Sequence, residues 1–220
     1  MKKIALMACG LLLAACVTRE MTNTSTDREA FDKFLDRYYE EYLKFNPLEA
    51  TQIADNRYND RLPNDISTEY RRNLGNFYKR YEDSLRTFDR ATLTEQQQIS
   101  FDILARETSF RRELLKYPDN LMPVQQFWGL ALTMPQIGSG ESFQPFKTTK
   151  DYDNFLSRID AFSVWMDTAI VNMRKGLRSG YTFPKILMER VLPQAQDMMV
   201  TDVTKSIFYK PIINFPDSMG

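Results

Sequence analysis

The segment Thr148–Pro193, TTKDYDNFLSRIDAFSVWMDTAIVNMRKGLRSGYTFPKILMERVLP, decides the fold of this chain. From Tyr152 onward its apolar residues recur at steps of three and four, the spacing of one continuous helical stripe. The members of the stripe are Phe155, Leu156, Ile159, Phe162, Met166, Ala169, Ile170, Met173 and Leu177. Thr148 with Asp151 fits a capping box at its start. The pattern predicts a core-facing helix from about Lys150 to Leu177, roughly 42 Å long, then a glycine-bounded turn and a second helix.

More helices are predicted before this segment. An aromatic-rich helix begins at Thr26 and ends at the Asn46-Pro47 step, because the residue before a proline avoids the helical region. Ser67 is placed to cap a further helix, and Thr94 with Gln97 forms the capping-box pattern before another. No stretch alternates apolar and polar residues as a half-buried strand does. The predicted fold class is therefore all-α.

Between Tyr117 and Phe146 the helical spacing is lost, and prolines and glycines punctuate the chain. A loop of this length in a compact domain is unusual and often functional. We therefore expect an elongated bundle of several helices, with one very long helix and a long Pro/Gly-rich loop. Apolar residues indicate that much of the loop packs against the bundle, namely Phe127, Trp128, Leu130, Leu132 and Met134.

The first residues resemble a bacterial lipoprotein signal peptide. Two lysines precede an apolar run from Ile4 to Ala15, and Leu13-Ala14-Ala15-Cys16 has the lipobox pattern of an aliphatic residue, two small residues and cysteine. The run is too short to remain as a membrane span. Cys9 could compete as the cleavage point, and a plain secretory signal with a chance cysteine is a further alternative. Cys16 is the favoured site of lipidation.

These assignments set the expected domain organisation and location. Residues 1–15 are predicted to be the signal peptide, residues 16–26 a flexible tether, and residues 27–220 a helical domain. The protein is then expected in the cell envelope, anchored to a membrane by the lipid on Cys16. It would face the periplasm or lie at the outer membrane. No second cysteine would remain to form a disulfide, so the domain must rest on its apolar core.

Composition excludes several kinds of chemistry. The 29 basic and 29 acidic residues give no net charge, so neither nucleic acid nor an anionic membrane surface is indicated as a partner. The chain has no histidine, which excludes a Ser-His-Asp triad and a His-Glu-x-x-His zinc site within it. Carboxylate pairs such as Asp36 and Glu40 are interpreted as charged residues on an exposed helical face and not as a catalytic pair. No catalytic residue and no metal ligand is predicted.

Two polar segments and one aromatic run have both a structural and a functional interpretation. In the turn-rich segment Asp55–Pro63, Asp55 and Arg57 favour an ion-pair network that holds the turn over a role in binding ligand. Gln136 in the long loop has the same two interpretations, and amides there more often satisfy loop backbone. The aromatic run Phe31–Phe45 could form a sugar platform, but its helical spacing favours core packing.

Five motifs in order resemble the bacterial exported proteins known as domain of unknown function 885. They are Asn46-Pro47-Leu48-Glu49-Ala50-Thr51, Asp55-x-Arg57-Tyr58-x-Asp60-Arg61-Leu62-Pro63, Leu132-x-Met134-Pro135-Gln136, Phe146-x-Thr148-x-x-Asp151-Tyr152-x-x-Phe155-Leu156-x-Arg158 and Gly176-Leu-x-x-Gly180-x-x-x-Pro184. Their spacing agrees over about residues 30 to 216. One departure is Ala54-Asp55-Asn56, where the family often has Gly-Asp-His, so Asn56 brings no titrating group to that position.

The resemblance implies a mostly helical, zinc-dependent peptidase of the gluzincin type. Its zinc ligands and general base would lie on a His-Glu-x-x-x-Gly-His helix further along the chain. This chain would then be the N-terminal portion: a scaffold and cleft wall, inactive alone and without a cofactor of its own. A peptide substrate would bind only when a C-terminal half completes the cleft, which Asp55, Arg57 and Gln136 would help to shape. The alternative is a lipid-anchored helical binding or accessory module without enzymatic activity.

Such a portion should leave apolar surface uncovered, because an exposed apolar patch normally marks a missing partner. The surfaces expected to be exposed are parts of the last apolar segment, Ile207–Phe215, and of the long helix.

Overall fold

A computed structural model describes residues 25–215, and these residues form eight α-helices and no strand. In chain order the helices are α1 over residues 25–45, α2 Pro47–Gln52, α3 Thr68–Leu85, α4 Glu95–Leu114, α5 Leu130–Gly138, α6 Thr149–Ser179, α7 Lys185–Asp197 and α8 Lys210–Ile213. Several of the connections contain short 3-10 turns. The all-α prediction is confirmed.

The long helix begins at the predicted capping box and ends at Ser179, two residues beyond the predicted Leu177. The Thr148 hydroxyl accepts a hydrogen bond from the Asp151 backbone N–H, and the Asp151 carboxylate accepts one from the Thr148 backbone N–H, which completes a capping box. The helix runs for 31 residues and stops at Gly180, whose φ of 76° is a left-handed conformation that glycine adopts without a Cβ penalty.

The predicted apolar stripe on α6 is wrong in part. Leu156, Ile170 and Leu177 are exposed, and Leu177 keeps 70% of its surface accessible. The buried face of α6 instead includes Trp165 and three polar residues, Asn154, Arg158 and Asn172. Hydrophobicity could not reveal this face, because buried polar side chains that hydrogen-bond to backbone carbonyls occupy positions that an apolar pattern leaves out.

The predicted Pro/Gly-rich loop is not continuous, because α5 forms in its middle. Pro135 lies inside this helix, and the flanking Met134 and Ile137 are fully buried. They pack with Leu62 and Phe155 in one apolar cluster, so burial outweighs the proline that would otherwise break a helix. Phe127 and Trp128, expected to pack against the bundle, are exposed instead.

The described residues divide into two compact units. The first contains residues 25–41 and Gly75–Leu114, and the second contains Tyr42–Leu74 and residues 115–215.

The first unit is built on an aromatic core. Phe31 is fully buried, with ring centroids of Phe88 and Phe101 at 5.2 Å and 6.3 Å, and Phe34 lies 5.4 Å from Tyr81. These contacts confirm the core-packing interpretation of the aromatic run for its buried members. Helix α4 buries Gln97, Leu104 and Thr108 here, whereas its apolar residues Ile99, Ile103 and Phe110 are exposed.

The second unit has three apolar clusters, two of which contain residues of α6. One surrounds Met134, Ile137 and Phe155, and another surrounds Trp165 and Ala169. A third joins Leu43, Ala50 and Tyr58 around α2. The last apolar segment is partly uncovered, since Ile212, Ile213 and Phe215 are exposed. Together with the exposed residues of α6, this confirms the expected open apolar surfaces.

Signal peptide, lipidation site and most of the tether lie outside the described residues. Residues 25 and 26, assigned to the tether, are already helical. Among residues 25–215 we find no helix of the length and apolar character needed to cross a membrane.

Candidate functional site

The predicted Asp55–Pro63 segment begins with a tight helix end. Helix α2 stops in a Schellman arrangement, in which the Ala54 N–H donates to the Thr51 carbonyl at 3.0 Å and the Asp55 N–H to the Ala50 carbonyl at 2.9 Å. Ala54 therefore takes a φ of 65°, the single non-glycine residue with positive φ in the described chain. This turn directs Asp55 into the following 3-10 turn.

Asp55 and Arg57 form the pair that the sequence favours as a turn-holding network. The Asp55 carboxylate accepts from the Arg57 backbone N–H at 3.2 Å and from its Nε and Nη2 at 2.9 and 2.6 Å. Hydrogen bonding to Arg57 lowers the pKa of the Asp55 carboxyl. The guanidiniums of Arg57 and Arg61 each lie over the Tyr58 ring, at 5.4 and 5.2 Å from its centroid.

Gln136 belongs to a different element, the last turn of α5, and is exposed. Its backbone carbonyl accepts from the Ser139 Oγ at 2.7 Å, which helps to end the helix. The structure brings Asp55 and Arg57 together, and it shows no shared contact of Gln136 with them.

Arg158 is the residue on which this part of the second unit converges. Its side chain is fully buried, and its guanidinium donates to three carbonyls of the preceding segment: Arg61 at 3.1 Å, Tyr58 at 3.1 Å and Pro47 at 3.3 Å. It also donates to the Thr51 hydroxyl at 2.7 Å. Helix α6 thereby fixes the ends of both α2 and the Asp55–Pro63 segment.

One more acceptor of Arg158 lies in a different segment, the connection between α5 and α6. The Gln144 side-chain carbonyl, also buried, hydrogen-bonds to Nη1 of Arg158. All the groups that contact the guanidinium directly are thus neutral oxygens. Burial lowers the pKa of Arg158 to about 10, and the negative charge of Asp60 opposes the shift. The side chain is still a cation at neutral pH.

A chain of side-chain hydrogen bonds leads from Arg158 to the surface. The Thr51 hydroxyl lies 2.8 Å from the Asn59 side-chain oxygen, and Asn59 donates through Nδ2 to the Asn56 oxygen at 2.9 Å. Asn59 is buried whereas Asn56 is exposed. Asn56 is therefore linked through the side chains of Asn59 and Thr51 to the buried guanidinium.

The sequence marked Arg158 only as part of a motif, and it missed Gln144 and Asn59 altogether. One signal in the sequence could have identified this network. Arg158 falls on the predicted buried face of an apolar helix, and a buried guanidinium needs several hydrogen-bond acceptors. Nothing in the sequence tells which glutamine or asparagine supplies them.

A small cavity of about 240 Å³ opens beside α2, next to this network. Asp65, Tyr70, Asn46 and Leu130 are among its lining residues. The Trp165 indole N–H donates to the Asp65 carboxylate at 2.6 Å. Partial burial raises the pKa of the Asp65 carboxyl and this hydrogen bond opposes the rise, while much of the residue surface stays exposed.

The described residues do not fit a zinc site. Across residues 25–215 no group of three or more histidine, cysteine, aspartate or glutamate side chains is close enough to hold a metal. The full sequence has no histidine, the nitrogen ligand that zinc sites commonly use. What this arrangement can do chemically is hold a backbone in place by hydrogen bonds to a buried cation.

Comparison with known proteins agrees with the motifs. Residues 47–219 match the model of a family described as bacterial protein of unknown function (DUF885). Neither the curated proteins nor the solved structures contain a match to the chain.

Proposed function

The chain belongs to the bacterial DUF885 family, and from that premise we propose that it forms the helical scaffold and cleft wall of an exported, zinc-dependent peptidase. A separate segment carrying a His-Glu-x-x-x-Gly-His helix would supply the zinc ligands and the general base. In this proposal the residues of the chain position the cleft and perform no chemical step.

The observation that carries the proposal is the convergence of three family motifs on Arg158. Its guanidinium joins the α2 motif at Pro47 and Thr51, the following motif at Tyr58 and Arg61, and the α6 motif to which it belongs. Because the Arg158 guanidinium already donates to these internal acceptors, it is not free to bind a substrate, and we assign the three motifs to the scaffold. Arg57 is tied to Asp55 in the same way.

Exposed apolar side chains support the second part of the proposal, that another segment covers this one. On α6 they include Leu156 and Val164, and near the end of the described chain they include Ile213 and Phe215. Apolar side chains of this size gain free energy when a partner removes them from water. A further helical segment is a fitting cover.

A peptidase assay tests this function. The purified chain, incubated with zinc and a quenched-fluorescence peptide library, is expected to show no chelator-sensitive hydrolysis. Chelator-sensitive cleavage by the chain itself would overturn the scaffold role. The neighbouring genomic sequence gives a second test, because a His-Glu-x-x-x-Gly-His motif should be encoded downstream of Gly220 in one of the reading frames.

We further propose that Cys16 carries a lipid that holds the protein at the cell envelope. The lipobox Leu13-Ala14-Ala15-Cys16 supports this proposal. Cells fed a clickable fatty acid should label the protein, and the Cys16→Ala variant should lose the label. Label that survives in this variant would contradict lipidation at Cys16.

A lipid-anchored binding module is the second candidate, and one observation favours it. Phe127 and Trp128 stack at a centroid distance of 5.9 Å, and Trp128 keeps 72% of its surface accessible. Exposed aromatic pairs are typical of recognition surfaces. Two results together would favour the binding module over the peptidase scaffold. They are a neighbouring genomic sequence without a zinc motif in any frame, and a bound partner that is lost in a Trp128→Ala variant.

A further inference from the structure

A second cavity in the second unit is larger and almost entirely apolar. This groove of about 380 Å³ lies between the end of α6, the start of α7 and the 3-10 turn Asp119–Leu121. Three methionines line it, Met122, Met173 and Met188. Methionine side chains are flexible and polarizable, so such a wall adapts to the shape of an apolar ligand. The volume falls in the range of small-ligand pockets.

The Gly176-to-Pro184 motif builds this groove. At Gly176 an added Cβ would lie 2.5 Å from the Tyr181 carbonyl oxygen and 2.9 Å from that of Leu121, so only glycine lets α6 approach both segments. Gly180 ends the helix with a positive φ, which returns Tyr181 and Phe183 to the groove wall. The motif that the proposed scaffold role leaves unused therefore forms a defined concave surface.

The lining limits the kind of ligand. Apart from the Tyr181 hydroxyl, its polar side chains are those of Thr182 and Lys185. A peptide would bring amide N–H and carbonyl groups that need partners when buried, and burying them unpaired costs free energy. An alkyl chain has no such groups. The interior therefore favours an unbranched hydrocarbon over a peptide.

Charge at one end of the groove favours an anionic head. Lys185 is the sole charged residue that lines it, and it is the first residue of α7, whose first turn carries no acidic residue. No side chain caps this helix end, so its backbone N–H groups and dipole add to the positive potential. The Glu189 carboxylate lies 3.5 Å from the Lys185 Nζ and partly offsets that charge.

We propose that this groove binds a medium-length alkyl carboxylate, with the alkyl chain along the methionines and the carboxylate at Lys185. Decanoate is the probe of this chemistry. The contacts that carry the scaffold proposal are those of Arg158, and none of the groove residues belongs to that network, so failure of either proposal leaves the other standing.

Calorimetric titration of the purified chain with decanoate, below its micelle concentration, tests the proposal. We expect saturable binding that decyltrimethylammonium, with the same chain and a cationic head, does not reproduce. The Lys185 side chain is 89% exposed, so Lys185→Gln should weaken decanoate binding by only about two- to fourfold, the value of an exposed ion pair, and leave decanol binding unchanged. Glu189→Gln should tighten decanoate binding, because it removes the carboxylate that partly offsets the charge of Lys185.

A matched pair of variants on α6 locates the binding site. Leu177→Asp places a carboxylate in the groove and should weaken decanoate binding at least about tenfold. Leu156→Asp makes the same change at another exposed position of the same helix, outside the groove, and should have no effect. Both leucines are exposed, so neither change should unfold the protein, which circular dichroism verifies.

Absence of decanoate binding would overturn the proposal. So would equal losses for Leu177→Asp and Leu156→Asp, or binding of decyltrimethylammonium as tight as that of decanoate. Tighter binding of an apolar peptide such as N-acetyl-Leu-Phe would assign the groove to a peptide ligand instead, and would also overturn the alkyl carboxylate.

Discussion

Arg158 Nη2 and Thr51 Oγ1 lie 2.7 Å apart although 107 residues separate them in the chain. This contact joins the long helix α6 to the short helix α2. It is one of several that a single planar guanidinium makes with neutral oxygens, and it places the stability of the Asp55–Pro63 segment under the control of one side chain on a distant helix.

Arg158→Lys should therefore be strongly destabilising although it keeps the charge. One ammonium cannot reach acceptors on both sides, so several buried oxygens lose their donor, at about 1–3 kcal/mol each. We expect a loss of at least about 2 kcal/mol in the free energy of urea unfolding. Arg178→Lys, an exposed position near the end of α6, is the control and should change it by less than about 0.5 kcal/mol. Equal effects would contradict the network.

Ala54→Gly should stabilise the protein. Ala54 has a φ of 65°, a left-handed conformation that costs a residue with a Cβ about 1–2 kcal/mol. Glycine avoids this cost, but it loses more conformational entropy on folding than alanine does, which offsets part of the stabilisation. We expect a net stabilisation of about 0.5–1 kcal/mol by thermal denaturation. The same substitution at Ala30, an exposed residue within α1, should instead destabilise by about 1 kcal/mol. A loss at both positions would contradict the left-handed assignment.

The two glycines that bound the end of α6 should respond differently to alanine. Gly176→Ala forces a Cβ against two backbone oxygens, and such overpacking costs about 1–3 kcal/mol and shifts the backbone. At Gly180 an added Cβ meets nothing within 4 Å, so the cost is that of the left-handed φ alone. Gly180→Asn should recover part of it, since asparagine tolerates this conformation. Thermal unfolding of Gly176→Ala, Gly180→Ala and Gly180→Asn checks this order, and equal losses of stability in all three would contradict it.

Asp65→Asn should remove one component of the pH dependence of stability. The carboxyl has a raised pKa in the folded state, so the folded protein binds more protons than the unfolded chain just above the ordinary aspartate pKa. Its contribution to stability therefore falls as pH rises through that interval. Asparagine keeps an oxygen for the Trp165 N–H and does not titrate.

The comparison of wild type and Asp65→Asn is read as a difference between two urea-unfolding series from acid to neutral pH. The free energy of unfolding of Asp65→Asn should increase relative to that of the wild type as pH rises. Asp65→Ala, which loses the hydrogen bond, should be less stable than Asp65→Asn at every pH. A constant difference between wild type and Asp65→Asn would show that the carboxyl does not titrate anomalously.

Phe31→Ala tests the aromatic core of the first unit. The ring is fully buried against Phe34, Phe88 and Phe101, so its loss should cost about 3–5 kcal/mol. Tyr39→Ala on the same helix changes an exposed ring and should cost less than about 1 kcal/mol. Sugar binding lost in Tyr39→Ala would revive the platform interpretation.

Local chemistry in the sequence determined the helices and many of their ends. The Thr148 and Asp151 capping box, the Thr94 and Gln97 capping box and the Asn46-Pro47 step appear in the structure as predicted, because each depends on residues within one turn of each other. The absence of histidine, and with it of the histidine-based catalytic and zinc sites, follows from the sequence alone.

Only the tertiary structure decided which face of each helix is buried and where the polar side chains pair. Leu177 is exposed and Arg158 is buried, the reverse of what their hydrophobicity favours, because α6 is oriented by contacts with segments far away in the chain. Helix α5 forms around Pro135 for the same reason. The acceptors of Arg158 come from residues 47 to 61 and from Gln144, and such non-local pairing leaves no periodic signal in the sequence.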